Sequence, residues 1–262
     1  MELLVFSVDP AFAASCLSAG AAGVIVDWER RGKHRRQAGE GTQINGDTPA
    51  DLARVRAATA GRVLCRVNGA GPWTDDEVEL AIALGADEVL LPMVRTPEQV
   101  DLALDAVAGR CGLGILVETQ DAVARVDELV DRPLSRVYLG LNDLRIDRRS
   151  NALFTPLVDG TVDRVRAACG RTPFGVAGLT LPDRGWPVPS ALLAGELARV
   201  GATFTFLRRS FTADTAGRDL RIEVPRILHA CAAARRRTAR EVVEDAAALA
   251  ASLAPARVAL PA

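Results

Sequence analysis

The chain has 262 residues, with 32 basic against 33 acidic side chains and a formal net charge of −1. That balance excludes the basic footprint expected of a nucleic-acid or anionic-membrane binder, and no apolar run reaches the roughly 20 residues that span a bilayer. Five cysteines, Cys16, Cys65, Cys111, Cys169 and Cys231, are widely spaced without a CxxC pair, which argues against a disulfide scaffold or a structural zinc site. The first ten residues lack the basic start of a signal peptide. The expectation is a cytoplasmic globular protein acting on a small molecule.

In chain order, short runs rich in Val, Ile and Leu predict strands at residues 3–8, 23–28, 62–67, 88–93, 114–118, 136–141, 174–178 and 203–208. Amphipathic stretches separate them. Residues 74–84 carry Val78 and Ile82 at i, i+4 spacing, and Thr74 before three acidic residues predicts an N-cap. Thr48-Pro49 and Thr96-Pro97 predict helix starts with proline in the first turn, while Gly20, Gly85, Gly109 and Gly201 fall where helices should end. Eight nearly continuous apolar strands alternating with helices predict an α/β fold, a single-domain (β/α)8 TIM barrel. The alternative, an open doubly wound sheet, calls for a glycine-rich loop after the first strand, where the chain instead reads VDPAFAAS. The barrel is assigned to residues 1–213. Residues 214–262 form an Ala/Arg-rich helical segment, interrupted at Pro225, that completes the barrel and offers a surface to a neighbouring subunit. Its run Arg235-Arg236-Arg237 reads as a solvated or subunit-contacting face.

Catalytic groups of a barrel project from the C-terminal ends of its strands. Those ends read Asp27-Trp28-Glu29, Arg66-Val67-Asn68, Pro92-Met93, Glu118-Thr119 and Gly140-Leu141-Asn142-Asp143. Glu118 follows GILV and Asp143 follows VYLGLN. A carboxylate there is costly unless paired, hydrogen-bonded or bound to a cation. Asp143 could cap the following helix and Glu118 could pair with an arginine. As a pair with only oxygen donors they would instead select a hard divalent ion, Mg²⁺ or Mn²⁺. Arg66, between Leu64 and Val67, is placed to bind a carboxylate or enolate oxygen. The single lysine, Lys33, lies on no predicted strand, which argues against a Schiff-base mechanism.

The segments VIVDWE, RVN, GADEVLLPMVRTPEQV, LVET and GLNDL, in this order and spacing over residues 20–144, resemble the HpcH/HpaI aldolase and citrate-lyase-beta superfamily. The resemblance implies a (β/α)8 barrel that holds Mg²⁺ or Mn²⁺ through Glu118 and Asp143. It further implies that Arg66 stabilises a pyruvate-like enolate and that the turn Gly140, Leu141, Asn142 and Asp143 holds the substrate carboxylate. Where pyruvate aldolases of the family carry a histidine base, this chain has Arg30, and DWER only partly matches the DLED-type motif of the citrate-lyase-like branch. Proton transfer is therefore assigned to metal-bound water or to the loop containing Glu29 and His34. The basic loop at residues 30–36 would either clamp a polyanionic substrate or be solvated. Gln43 and Asn45 would orient substrate or make turn hydrogen bonds. The expected activity is that of a class II, metal-dependent aldolase or lyase acting next to a 2-oxo acid or acyl thioester through an enolate. Decarboxylation of an oxaloacetate-like acid, or cleavage or hydrolysis of a malyl-type thioester, is the alternative, and a non-catalytic barrel acting as a scaffold is a third reading. The resemblance also implies a homo-oligomer, a trimer or hexamer.

Overall fold

A computed structural model describes residues 1–37 and 46–253, so Gln43 and Asn45 lie outside the described residues. Eight parallel strands, β1 (Glu2–Phe6), β2 (Gly23–Asp27), β3 (Val63–Arg66), β4 (Glu88–Leu91), β5 (Gly112–Val117), β6 (Arg136–Leu139), β7 (Phe174–Leu179) and β8 (Phe204–Leu207), close into a barrel in sequence order. All eight predicted strands are present, each within a few residues of its expected bounds. Helices connect them and form the outer layer. No helix among the described residues is long and apolar enough to cross a membrane.

The two-residue period of a strand sorts its side chains into two sets. One set, including Val24, Val26, Val63, Cys65, Val89, Leu91, Ile115 and Val117, packs outward against the helices. The other fills the barrel: Leu4, Ile25, Leu64, Leu90, Leu116, Tyr138, Phe204 and Phe206 form its middle layer. Tyr138 and Phe206 stack with ring centroids 3.8 Å apart. Two residues upstream on the inward set lie Glu88 and Arg136, joined by paired hydrogen bonds of 2.6 and 2.8 Å at the N-terminal end of the barrel, with the guanidinium 4.7 Å from the Phe204 ring centroid. Two residues downstream the same parity delivers Asp27, Arg66, Glu118 and Arg208 to the other end.

The helix boundaries follow local chemistry. Thr48 and Thr96 each close a capping box, with Asp51 and Gln99 respectively, and Gly20, Gly85, Gly109 and Gly201 take the left-handed conformation that stops a helix. Thr74 is not an N-cap. It is the first residue of the helix Thr74–Ala83, and its hydroxyl accepts the Gly71 N–H at 2.9 Å. Pro225 does not interrupt its helix either. Leu220–Ala234 runs through it, because Val224, Ile227 and Cys231 form a buried stripe whose packing outweighs one missing backbone hydrogen bond. The break comes instead before the last helix, Ala239–Leu253, and both helices pack on Ser190–Arg199 of the outer layer. The arginine run in that break is exposed at Arg235 and Arg236, as expected of a solvated face, and half-buried at Arg237. Arg235 donates to the Ala202 carbonyl at 3.0 Å, and Arg237 donates to the Gly195 carbonyl at 2.6 Å and pairs with Asp245.

The Glu88–Arg136 pair predicts a clear contrast in denaturant unfolding. Arg136→Ala strands the buried Glu88 carboxylate with the Ser135 hydroxyl and should lower stability by about 3–5 kcal/mol. Arg125→Ala, which removes the exposed pair with Glu128, should leave the urea midpoint nearly unmoved.

Candidate active site

Asp27 and Arg66 end adjacent strands and stand directly across from one another in the parallel register. Their side chains therefore leave the sheet on the same face, and the guanidinium meets the carboxylate with two hydrogen bonds, Nε to Oδ1 at 2.8 Å and Nη2 to Oδ2 at 2.7 Å. Asp27 is fully buried and Arg66 is 7% exposed. Burial by itself would raise the Asp27 pKa. The charge and hydrogen bonds of Arg66, with the charge of Lys33, outweigh it and hold the carboxyl well below the usual range. The Arg66 guanidinium also lies 5.1 Å from the Phe6 ring centroid.

The loop after β2 returns to this pair. Its backbone is pinned by Asn68, whose Oδ1 accepts the N–H groups of Arg30 and Arg31 at 2.8 and 2.7 Å. The short helix Lys33–Arg36 then presents one side to the barrel. Lys33, Arg36 and Gln37, at i, i+3 and i+4, share that side. Lys33 is 1% exposed, with Nζ 3.3 Å from Asp27 Oδ2 and 2.9 Å from Glu29 Oε2. Arg36 bridges Glu29 at 2.5 Å and Asp143 at 2.7 Å, and Gln37 Nε2 donates to both oxygens of Asp143 at 3.1 and 3.2 Å. Residue 34 points the other way on so tight a helix, so His34 is exposed and its expected place at the site is corrected: Lys33 occupies it. The basic loop turns two of its charges inward, while Arg31 lies over the Trp73 ring at 4.3 Å, 3.6 Å from Glu77.

Across the barrel mouth, Glu118 follows β5 and its Oε2 accepts the Met93 N–H at 3.2 Å. Met93 holds φ at 57°, an uncommon left-handed value for a side-chain-bearing residue. Gly140 is required here, because a Cβ would collide with the Glu118 carboxyl. The helix Leu141–Asp147 starts at once and places Asp143 in its first turn. Arg66, Glu118, Gly140, Leu141, Asn142 and Asp143, the residues expected from the strand ends, all line one cavity of about 570 Å³. Glu29 is buried beneath it in the ion-pair network. Lys33, Gln37, Tyr138 and Arg208 line it too and were not singled out from the sequence as site residues. Parity along β6 and β8 signals Tyr138 and Arg208; nothing local signals Lys33.

Burial, reinforced by the charges of Asp143 and Glu29, pushes the Glu118 carboxyl up to about 8 against the opposing pull of Arg66 and Arg36. Two buried carboxylates that repel one another and offer only oxygen fit a hard divalent cation, whose charge would relieve that repulsion. They would hold it as a two-residue set: among the described residues no cluster of three His, Cys, Asp or Glu is gathered for a metal. Arg36 and Gln37 would share Asp143 with it.

In metal-free buffer the raised Glu118 pKa has a definite sign. Between the ordinary carboxyl pKa and about 8 the folded protein binds the extra proton, so stability declines as pH rises through that window. Glu118→Gln removes the titration. Melting curves in EDTA should show the variant gaining roughly 5 °C on the wild type between pH ~5 and pH ~9, and a gap independent of pH would contradict this account.

Comparison with known proteins places the site in context. The chain spans somewhat over half the length of a curated relative, the indole-3-glycerol phosphate synthase of Aromatoleum aromaticum (strain DSM 19018 / LMG 30748 / EbN1), with 31% identity over 160 residues, 61% of this chain and 57% of the relative. Among solved structures, it is similar to the citrate synthase SbnG (TM-score 0.60, 16% identity, 82% of this chain and 90% of that one). It also resembles RipC from Yersinia pestis (0.58, 14%, 92% and 98%) and a HpcH/HpaI aldolase/citrate lyase family protein from Burkholderia cenocepacia J2315 (0.60, 15%, 82% and 91%). At these identities the solved structures establish the fold. The family model for HpcH/HpaI aldolase/citrate lyase matches residues 3–169, the stretch that carries Asp27, Arg66, Glu118 and Asp143, and the chain belongs to that family.

Proposed function

We propose that this protein is a carbon–carbon lyase that forms or cleaves a bond next to the oxo group of a 2-oxo acid. The observation that carries this reading is one cavity wall on which a fixed guanidinium, Arg66, stands with two buried carboxylates, Glu118 and Asp143. Acyl thioester cleavage and decarboxylation of an oxaloacetate-like acid use the same wall and are the alternatives.

The residues divide the work as follows. Glu118 and Asp143 would hold Mg²⁺ or Mn²⁺, which supplies Lewis-acid polarisation of the substrate oxygens when bound. Arg66 cannot swing to meet a substrate, because Asp27 fixes two of its nitrogens; it presents a preorganised positive charge to oxygen on which negative charge develops. The first turn of Leu141–Asp147 leaves N–H groups without intrahelical partners, suited to the substrate carboxylate. Glu29 is engaged by Lys33, Arg36 and Arg66, so it positions those cations and is not the base. Lys33 donates to Asp27 and forms an ion pair with Glu29, which keeps its nitrogen from attacking a carbonyl. Repeat copies of the chain would assemble as a homo-oligomer, with no part for nucleic acid or membrane.

Proton NMR of pyruvate in D₂O tests the reading. Exchange of the methyl protons should require Mg²⁺ or Mn²⁺, stop with EDTA, and fall about 10²–10³-fold in Arg66→Ala and in Glu118→Ala. Borohydride added with pyruvate should leave Lys33 unlabelled. Exchange that persists in EDTA, or a reduced adduct on Lys33, would overturn the assignment.

A further inference from the structure

Arg208 differs from the other inward-facing arginines. Arg66 is paired with Asp27, Arg136 with Glu88 and Arg36 with Glu29 and Asp143. Arg208 also belongs to the inward set, two residues after Phe206 of β8, and lines the same cavity as Arg66 and Glu118. Its Nε donates to the Gly178 carbonyl at 2.7 Å and its guanidinium lies 5.5 Å from the Phe154 ring centroid. Its Nη2 is buried and has no hydrogen-bond partner, and no described carboxylate pairs with it. Asp214, the acid that influences it, is engaged by the Thr180 hydroxyl.

The surrounding backbone is shaped to this side chain. A Cβ at Gly178 would stand 3.0 Å from Arg208 Cγ, and one at Gly185 would stand 3.3 Å from Nη1 while striking the Val188 carbonyl at 2.8 Å. Burial draws the Arg208 pKa below its ordinary value, the opposite direction to Arg66, Arg36 and Arg136, which their carboxylates raise against the same burial. A guanidinium stays charged at any working pH, and leaving one half-buried without an anion is costly.

We propose that Arg208 is the subsite for a second anionic group of the substrate, a terminal carboxylate or phosphate, and so determines specificity. This rests on the 2-oxo acid reading for the other end of the ligand. β8 lies three strands round the barrel from both β3 and β5, so Arg208 faces Arg66 and Glu118 across the mouth, with the stacked rings of Tyr138 and Phe206 between them. The substrate class is therefore a short, doubly anionic chain. Its oxo-acid end lies at Arg66, its hydrocarbon middle on the aromatic floor, and its far anion takes the open Nη2 in a charge-assisted hydrogen bond.

Calorimetric titration in the presence of Mg²⁺ tests this with a matched pair, 2-oxoglutarate and 2-oxopentanoate, which differ only in the terminal carboxylate. The wild type should bind the dianion at least about tenfold more tightly. Arg208→Gln should bring the two affinities together, and Arg208→Lys, which keeps a charge without the fork, should retain a reduced preference. A wild type that binds both equally or neither, or a preference that survives Arg208→Gln, overturns the proposal. An analogue with a terminal phosphonate, 2-oxo-4-phosphonobutanoate, tells a phosphate site from a carboxylate site by binding more or less tightly than 2-oxoglutarate. Glutarate separates the two readings. If it matches 2-oxoglutarate and depends on Arg208 but not on Arg66, the anion subsite stands and the oxo-acid reading falls.

Discussion

The in-register pairing of Asp27 with Arg66 is the constraint on which the rest of the site depends. A parallel ladder sets these two residues side by side at the ends of neighbouring strands, and their paired hydrogen bonds let both be buried. Neither charge would be tolerable there alone: removal of one partner from a buried pair leaves an uncompensated ion. Once the pair exists, Lys33 can descend onto the outer oxygen of Asp27, Glu29 can follow Lys33, and Arg36 can tie Glu29 to Asp143. The loop after β2 is thereby anchored to the helix after β6 through alternating charges.

The two ends of the barrel use the same device for different purposes. At the N-terminal end, Glu88 and Arg136 pair with each other, and Ser135 and Glu2 supply their remaining partners. At the C-terminal end the pairing is incomplete. Asp27 and Arg66 match, but Glu118 has a backbone N–H and a neighbouring carboxylate, and Arg208 has a carbonyl and an aromatic ring. An acid whose protonated form is favoured and a cation that no described carboxylate pairs, both lining one cavity, mark where ligand charge is needed. Strain concentrates there as well, with Met93 in a left-handed conformation directly beneath Glu118 and Gly140 cleared of a side chain beside it.

The sites legible in the sequence were those governed by periodicity. Arg66, Glu118 and the turn from Gly140 to Asp143 follow apolar runs whose alternation sets which residues enter the barrel, and each is on the cavity wall. The same parity brings Tyr138 and Arg208 to the cavity, but Tyr138 lies inside its strand and the end of β8 carries no acidic or motif-like residue. His34 attracted attention as a histidine near an acidic motif, yet it is exposed, because a four-residue helix turns Lys33 and Arg36 inward and its second residue outward. Thr74 and Pro225 show the reverse limit. Local propensity named a cap and a break, and tertiary packing moved the first by one residue and suppressed the second.

By itself the sequence determined the barrel, through eight apolar strands with a period of two, the helix ends written in Thr-Pro and glycine, and the family to which the ordered motifs belong. Those features are encoded in residues close together along the chain, where the spacing of side chains follows directly from backbone geometry. Only the tertiary structure decided which charges are satisfied. That Lys33 reaches Asp27, that Arg36 reaches Asp143 more than a hundred residues away, and that Arg208 meets no carboxylate among the described residues are consequences of how the barrel closes. Coulombic pairing depends on distance in space and on desolvation, and neither is a property of local sequence.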